Sequence, residues 1–196
     1  MEEKLYINDF INHIKSYGIE PTTEEFAIFT NFIKYKKFKK GEMILEKGHI
    51  CNEAYYSIKG FARSFDKLKN GTEKTYLIFA ENSFFTDHAS FISQVPAIEY
   101  LEAVEDMDVM YIEYENMIGM YKKYHNIESF GRRISDVNFI FSQKRLRSMM
   151  NDDASTRYKK LIKHYGDFSL RIPQNVIASY LGITPQSLSR LKRDLE

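Results

Sequence analysis

Residues 173–195 read PQNVIASYLGITPQSLSRLKRDL, and this stretch decides the architecture of the C-terminal part of the chain. Pro173 suits the first turn of a helix, where its missing N–H removes no hydrogen bond. Gly182 permits a turn conformation that bulkier residues resist. Thr184 is a good N-cap, and Pro185 suits the first position of the helix that follows. Two short helices joined by a tight turn are therefore predicted.

The second of these helices has two chemically different faces. Leu188, Leu191 and Leu195 are predicted to form its buried stripe. The opposite face offers donors and acceptors for base edges and phosphates, as a helix in the DNA major groove requires. A generic helical hairpin is the alternative, but the turn chemistry together with the two faces favours a helix-turn-helix. The predicted DNA-binding residues are Thr184, Gln186, Ser187, Ser189, Arg190, Lys192 and Arg193.

The charge distribution supports this interpretation. The net charge is +1, from 28 Lys and Arg against 27 Asp and Glu. Residues 144–196 hold eleven of the basic and five of the acidic residues, a net of +6, which leaves −5 for the first 143 residues. An acidic body with a basic C-terminal segment is typical of a DNA-binding module attached to a sensor or dimerisation module.

Composition excludes several classes of protein. Hydrophobic residues make up 43% of the chain, enough for a packed core. The sequence has no run of 18 apolar residues and no signal-peptide pattern, so we expect a cytoplasmic protein without a membrane partner. The single cysteine, Cys51, excludes an internal disulfide and a Cys-ligated iron–sulfur cluster.

The sequence also gives no indication of catalysis. It contains no phosphate-binding glycine loop, no nucleophile motif and no histidine pair at metal-ligand spacing, so neither catalytic nor metal-binding residues nor a cofactor are predicted. The alternative is a small-ligand-binding or enzymatic barrel whose basic C-terminus merely packs.

The region before residue 114 combines helices and strands. Two short helices are predicted first, the second with capping-box spacing at Thr22-Thr23-Glu24-Glu25. From Phe38 to Ile112, short strands are separated by glycines, and Asn70-Gly71 predicts a hairpin turn. The predicted fold class is α+β: N-terminal helices and an antiparallel, jelly-roll-like β-roll, then a long dimerisation helix and a small helix-turn-helix domain.

The predicted long helix carries a heptad-like seam. Its residues follow one another at alternating steps of three and four, which is the spacing of helices that pair along their length. A homodimer formed mainly by residues 125–148 is predicted, and packing of the seam against the chain's own β-roll is the alternative. The predicted interface residues are Ile127, Phe130, Ile134, Val137 and Phe141.

Three stretches resemble the family of the cyclic-AMP receptor protein and the fumarate–nitrate reduction regulator, the Crp–Fnr family. Residues 38–48 (FKKGEMILEKG) and 56–63 (YSIKGFAR) are similar to its cyclic-nucleotide-binding β-roll, and residues 177–190 are the closest match. The resemblance implies a β-roll effector domain with N-terminal helices over 1–113, a dimerisation helix over 114–150 and a helix-turn-helix DNA-binding domain over 151–196. It implies a homodimeric transcription regulator that binds an inverted repeat of double-stranded DNA. RNA polymerase and an unidentified small-molecule effector are further partners that it allows.

The resemblance has two departures. Nucleotide-binding members carry a Gly-Glu pair and, further on, an Arg-Ser or Arg-Thr pair whose arginine binds the cyclic phosphate. Residues 81–100 contain no glycine, lysine or arginine, whereas Asp87, Glu99 and nearby Glu102 are acidic. We therefore expect no response to cyclic AMP, with a nucleotide sensor that uses unusual contacts as the alternative. The sequence also stops at Glu196, so no wing is expected after the second helix.

Overall fold

The computed structural model describes residues 2–18, 20 and 22–195. Within these residues, the chain forms two N-terminal helices, a β-roll with one short internal helix, two helices that lead out of the roll, and three C-terminal helices. The helices are α1 (Glu2–Ser16), α2 (Thr23–Phe32), α3 (His88–Ser93), α4 (Tyr114–Tyr121), α5 (His125–Asn151), α6 (Ala154–Tyr165), α7 (Gln174–Leu181) and α8 (Pro185–Arg193). The strands are β1 (Lys34–Phe38), β2 (Met43–Leu45), β3 (Glu53–Lys59), β4 (Ala62–Lys67), β5 (Glu73–Phe79), β6 (Phe84–Phe85), β7 (Tyr100–Ala103) and β8 (Met107–Glu113).

The strands form two four-stranded antiparallel sheets that face each other. Their orders are β1-β8-β3-β6 and β2-β7-β4-β5. The predicted hairpin turn at Asn70-Gly71 joins β4 to β5. Buried apolar side chains fill the space between the sheets: Phe38, Tyr55, Ala62, Phe85, Ala103, Met107 and Val109. The predicted α+β class with an antiparallel β-roll is confirmed.

The N-terminal helices cover the outer face of the first sheet. The capping box predicted at the start of α2 is present: the Thr22 hydroxyl accepts from the Glu25 N–H, and the Glu25 carboxylate accepts from the Thr22 N–H. Phe10 of α1 stacks on Phe29 of α2, with ring centroids 5.8 Å apart, and meets Tyr56 of β3 edge-on at 5.1 Å. This layer continues into the first turns of α5.

Helix α5 is 27 residues long and has two environments. Its N-terminal part packs on the roll, where Ile127 and Phe130 are 3% and 6% exposed. Its C-terminal half leaves the roll and exposes large apolar side chains, including Phe139 and Leu146. Packing against the chain's own roll, the alternative weighed from the sequence, therefore holds for the beginning of the helix.

The three C-terminal helices pack on the second sheet. One continuous cluster joins Phe61, Ile78 and Val104 of the roll to Leu161, Ile177, Leu181 and Leu188 of the helices. Helix α7 lies directly on β5. The helix-turn-helix therefore has a firm support in this conformation.

Candidate DNA-binding interface

Helices α7 and α8 form the turn that the sequence predicts. Gly182 ends α7 with a φ of +68°, in the left-handed region, and its N–H donates to the carbonyls of Ala178 and Ser179. The Thr184 hydroxyl then caps α8 by accepting from the Ser187 N–H, and Pro185 takes the first helical position. Gly182, Thr184 and Pro185 therefore act in the manner predicted for them, whereas Pro173, predicted in the first turn, lies at the N-cap of α7.

The buried side of α8 fixes the helix on the domain. Leu188 is fully buried against the core formed by α6 and α7, whereas Leu191 is half-buried and Leu195 is 41% exposed. The stripe predicted over three leucines is thus carried by the first two. Burying a leucine of this kind stabilises a fold by about 1.5–3 kcal/mol.

The opposite side of α8 faces solvent. Gln186, Ser189, Arg190 and Arg193 are all exposed. Gln186 and Arg190 are four residues apart, so their side chains leave the same face of the helix. Among the described residues, neither Arg190 nor Arg193 forms an ion pair within the chain. Two guanidinium groups are thus presented without a carboxylate to neutralise them.

The other three predicted DNA-binding residues have local contacts. Thr184 and Ser187 form the cap of α8, and their hydroxyl oxygens lie 3.0 Å apart. The Lys192 ammonium lies 5.9 Å from the centre of the Tyr158 ring, on the side of α8 that faces α6. The geometry therefore groups Gln186 with the exposed arginines and sets Lys192 apart from them.

Strand β5 holds the first helix of the motif through hydrogen bonds. The Ser179 hydroxyl of α7 donates to the Glu73 carbonyl and accepts from the Thr75 N–H, both at 2.8 Å. The Tyr165 hydroxyl at the end of α6 donates to the Ile78 carbonyl at 2.8 Å, and burial raises the pKa of this phenol well above its usual value. These bonds set the position of α7, and through the turn that of α8.

Two arginines complete the contact between the roll and the C-terminal helices. Arg171 forms ion pairs with Glu81, at 2.8 Å, and with Glu105. Arg145 of α5 donates to the Tyr180 carbonyl and lies with its guanidinium 3.6 Å from the centre of the Tyr180 ring. The support of the helix-turn-helix therefore includes charged contacts that sequence patterns did not indicate.

Comparisons with known proteins agree with this geometry. Residues 35–124 match the family model of the cyclic nucleotide-binding domain. A Crp/Fnr-family transcriptional regulator from Eubacterium rectale superposes with a TM-score of 0.70 at 18% identity, over 89% of this chain and 83% of that one. The chain has the Crp–Fnr fold.

Two further structures with this fold are similar to the chain. FixK2 from Bradyrhizobium japonicum has a TM-score of 0.73 at 15% identity, over 83% of this chain and 84% of that one. The c-di-GMP-responsive global regulator CLP from Xanthomonas campestris has a TM-score of 0.68 at 13% identity, over 88% and 90%. No curated protein matches the chain in sequence. The resemblance noted in the sequence is confirmed for the fold.

In this Crp–Fnr fold, the segment at 81–100 is built around carboxylates. Asp87 caps α3 by accepting from the Ser90 N–H at 3.0 Å, while its second carboxylate oxygen is buried and, within the described part of the chain, has no partner. Burial and the nearby Asp87 raise the pKa of Glu99 to about 7. The helix α3 itself was not predicted, since it is six residues long and opens on a single Asp cap.

A buried arginine does occur in the roll, but its charge is already neutralised. Arg63 of β4 is 5% exposed, and its guanidinium binds Glu102 of β7 and Glu73 of β5. The Arg63 Nε lies 2.7 Å from the Glu102 carboxylate. This group is therefore not free to bind a phosphate.

The five residues predicted for the dimer interface fall into two groups. Ile127 and Phe130 are buried in the chain's own core, and Ile134 is half-buried against it, so their packing within the chain does not support the predicted assignment to a surface between copies. Val137 and Phe141 instead line a groove between α5 and α6, and the Phe141 ring stacks on His164 at 4.8 Å.

A second row of exposed apolar side chains lies on a face of α5 different from that of the predicted seam. Phe139, Leu146 and Met149 are 64%, 53% and 38% exposed, and they are separated by steps of seven and three residues. Ser135 and Ser142 continue the same face. We refer to Ser135, Phe139, Ser142, Leu146 and Met149 as the α5 stripe.

No group of three or more His, Cys, Asp or Glu side chains in the described ranges could hold a metal ion. Among those same residues, no helix is both long and apolar enough to cross a bilayer.

Proposed function

We propose that this protein is a DNA-binding transcription regulator and that α8 is its recognition helix. The observation that carries the proposal is the division of α8 into a fully buried Leu188 and an exposed face with Gln186, Arg190 and Arg193. A helix in the major groove needs an apolar side that rests on its domain and a side with donors that reaches base edges. The structural neighbours described as transcriptional regulators support the same function.

Within this proposal, each polar residue has a role. Arg190 presents the fork that matches the two major-groove acceptors of guanine, and Gln186 can pair with adenine. Ser189 and Arg193 flank them and reach either a base or a phosphate, while Thr184 and Ser187 mainly cap the helix. Lys192, which lies over Tyr158, contributes positive charge near the backbone rather than a base contact.

We further propose that the regulator acts as a homodimer joined along the α5 stripe. A lone helix would expose this stripe to water, and steps of three and four residues suit the pairing of two helices. A two-fold dimer places two copies of α8 on half-sites about one helical turn apart, so the preferred DNA is an inverted repeat. The chain then consists of an effector-type domain over 1–113, a dimerisation region over 114–150 and a DNA-binding domain over 151–196.

The effector chemistry is proposed to differ from that of cyclic-nucleotide sensors. The segment at 81–100 presents Asp87 and Glu99 and no cation, and aromatic side chains fill the roll behind it. A phosphate diester placed there would meet carboxylates instead of a bidentate arginine. We therefore propose that the protein is not a cyclic-AMP sensor. We also propose that it is not an enzyme and that it acts on DNA in the cytoplasm, with RNA polymerase as a further partner.

Selection of bound sequences from a random DNA pool tests the function directly. Fluorescence anisotropy on the selected site and on a scrambled site, at two salt concentrations, should give preferential binding to an inverted repeat. The affinity should fall steeply with salt, because phosphate contacts release counterions. Failure to enrich any sequence, or equal affinity for the selected and the scrambled site, would contradict the proposal.

Sedimentation tests the dimer separately. Phe139→Glu with Leu146→Glu should convert dimers to monomers, because four carboxylates would lie on the paired stripes. Val137→Glu is the matched control, since Val137 is 42% exposed on a different face of the same helix. A double variant that remains dimeric, or a control that also dissociates, would place the interface elsewhere.

A further inference from the structure

A groove of about 720 Å³ lies between the C-terminal half of α5 and helix α6. We call it the α5–α6 groove. Its volume falls within the range of about 300–1,000 Å³ that is usual for small-molecule sites. It contains none of the α8 residues assigned above to DNA, and the side chains that line it belong to α5, α6, the α5–α6 junction and the end of α7. Neither the fold nor the proposed function accounts for it.

One end of the groove is apolar and contains flat rings. Val137, Ile140 and Leu161 line it, and the His164 ring stacks on Phe141 with an angle of 30° between the planes. Burial lowers the pKa of His164, so this ring is neutral at pH 7 and offers its face rather than a charge. An aromatic or heterocyclic ring can pack here by stacking.

The other end of the groove is strongly cationic. Five basic side chains line the groove against the single carboxylate of Asp152, a net of +4. Lys160 is the partner of that carboxylate, at 2.5 Å. The five basic residues are Lys144, Arg145, Arg147, Arg157 and Lys160.

The two arginines at the back of this end hold backbone carbonyls rather than carboxylates. Arg145 donates to the Tyr180 and Tyr76 carbonyls, and Arg157 donates to those of Leu181 and Asp152. A guanidinium has five N–H donors, and these bonds use two on each side chain. In the part of the chain that the structure describes, neither arginine forms an ion pair.

The uncompensated charge at this position is unfavourable without an anion. Arg145 is half-buried, and burial together with the repulsion from Arg157 lowers its pKa. Their contacts with the last carbonyls of α7 offset part of this cost, since the C-terminus of a helix favours cations. An anion with several oxygens would satisfy the remaining donors of both guanidinium groups at once.

We propose that the α5–α6 groove binds a small anion that carries a phosphate group on a flat ring, with the phosphate at Arg145 and Arg157, beside Lys144 and Arg147, and the ring against Phe141 and His164. This ligand class follows from the two ends of the groove, and the proposal does not depend on DNA binding. Neither Phe139 nor Leu146, the two largest apolar residues of the α5 stripe, lines the groove.

Isothermal titration calorimetry of the whole chain tests the proposal with three probes: adenosine diphosphate, inorganic pyrophosphate and adenosine. Adenosine diphosphate should bind saturably with a dissociation constant of about 1 mM or tighter. Pyrophosphate should bind more weakly because it lacks the ring, and adenosine should bind most weakly because it lacks the charge. The variant Lys144→Gln with Arg147→Gln removes two exposed cations from the groove and leaves the half-buried Arg145 and Arg157 in place.

This variant should bind adenosine diphosphate at least roughly tenfold more weakly, a loss of ~1.4 kcal/mol. Lys122→Gln with Lys123→Gln is the matched control, because it removes the same charge from exposed positions outside the groove and should leave the affinity unchanged. The proposal is overturned if adenosine diphosphate shows no saturable heat, if adenosine binds equally well, or if the groove variant and the control variant bind alike. Wild-type affinity for adenosine diphosphate in the Lys144→Gln, Arg147→Gln variant would also overturn the proposal.

Discussion

The most demanding prediction about stability concerns the buried ion pairs of Arg63. Arg63→Met keeps a long apolar side chain on β4 but leaves two carboxylates facing each other across it. The Arg63 side chain is 6% exposed, that of Glu102 17% and that of Glu73 34%. Removing one partner of a buried ion pair commonly costs about 3–5 kcal/mol. Because Glu73 is a third exposed and solvent screens it, we expect ~3 kcal/mol.

Urea unfolding measures this loss. With a slope of about 2 kcal/mol per molar urea, the midpoint should fall by ~1.5 M. Arg63→Met combined with Glu73→Gln and Glu102→Gln should recover most of it, because the uncompensated charges are gone. Lys47→Met is the control: its pair with Asp66 is more exposed, and the free energy of unfolding should change by less than about 1 kcal/mol.

Either of two results would refute this reasoning. A midpoint for Arg63→Met within about 0.3 M of the wild type would mean that the buried pair contributes little. A triple variant as unstable as Arg63→Met would mean that packing, and not charge, holds the two strands.

Three other predictions concern the roll and its helices. Gly131→Ala should lower the free energy of unfolding by about 1–3 kcal/mol, since the new methyl overlaps the half-buried Tyr121 side chain. Gly119→Ala meets no neighbouring atom and should be neutral or stabilising in thermal melts. The pKa of Glu99 is raised from 4.5 to about 7, so the folded state holds this proton more tightly than the unfolded state. The Glu99 proton should therefore contribute ~3 kcal/mol to the free energy of unfolding below pH 4.5, and this contribution should disappear as the pH rises through 7. Glu99→Gln should remove this pH dependence from plots of the free energy of unfolding against pH. Calorimetry with ~1 mM cyclic AMP should show no saturable heat, and a micromolar dissociation constant would contradict the account of the acidic segment.

The helix-turn-helix could be predicted from the sequence because its signals are local. The left-handed turn at Gly182, the Thr184 cap and the proline after it each depend on their immediate neighbours, and all three behave as expected. The same is true of the Thr22 capping box and of the hairpin at Asn70-Gly71. An element that is specified by a few neighbouring residues can be predicted without knowledge of the rest of the fold.

Periodicity alone could not indicate which face of α5 the chain itself covers. Helix α5 carries two sets of residues at steps of three and four, and the spacing does not indicate which set the chain itself covers. Ile127 and Phe130 are covered by the roll and α4, whereas Phe139 and Leu146 remain exposed. The tertiary packing of α1, α2 and α4 makes that choice.

The charged contacts were missed for a related reason. Arg63 meets Glu102 because β4 and β7 pair in a register that places these two residues opposite each other. The cationic end of the α5–α6 groove likewise brings together Arg145 and Arg157 from two helices and the end of a third. Such constellations arise from register and helix packing, which a single sequence does not specify.

The most direct test of the central claim is the base preference of Arg190→Ala. Anisotropy should be measured for the wild type and this variant on the selected inverted repeat and on all single-base changes within one half-site. Loss of the guanidinium should cost ~1–3 kcal/mol on the best site and relax the preference at one position per half-site. Lys163→Ala, which removes a positive charge from exposed α6, should keep the full preference. If Arg190→Ala retains both the affinity and the base preference of the wild type, α8 does not read DNA.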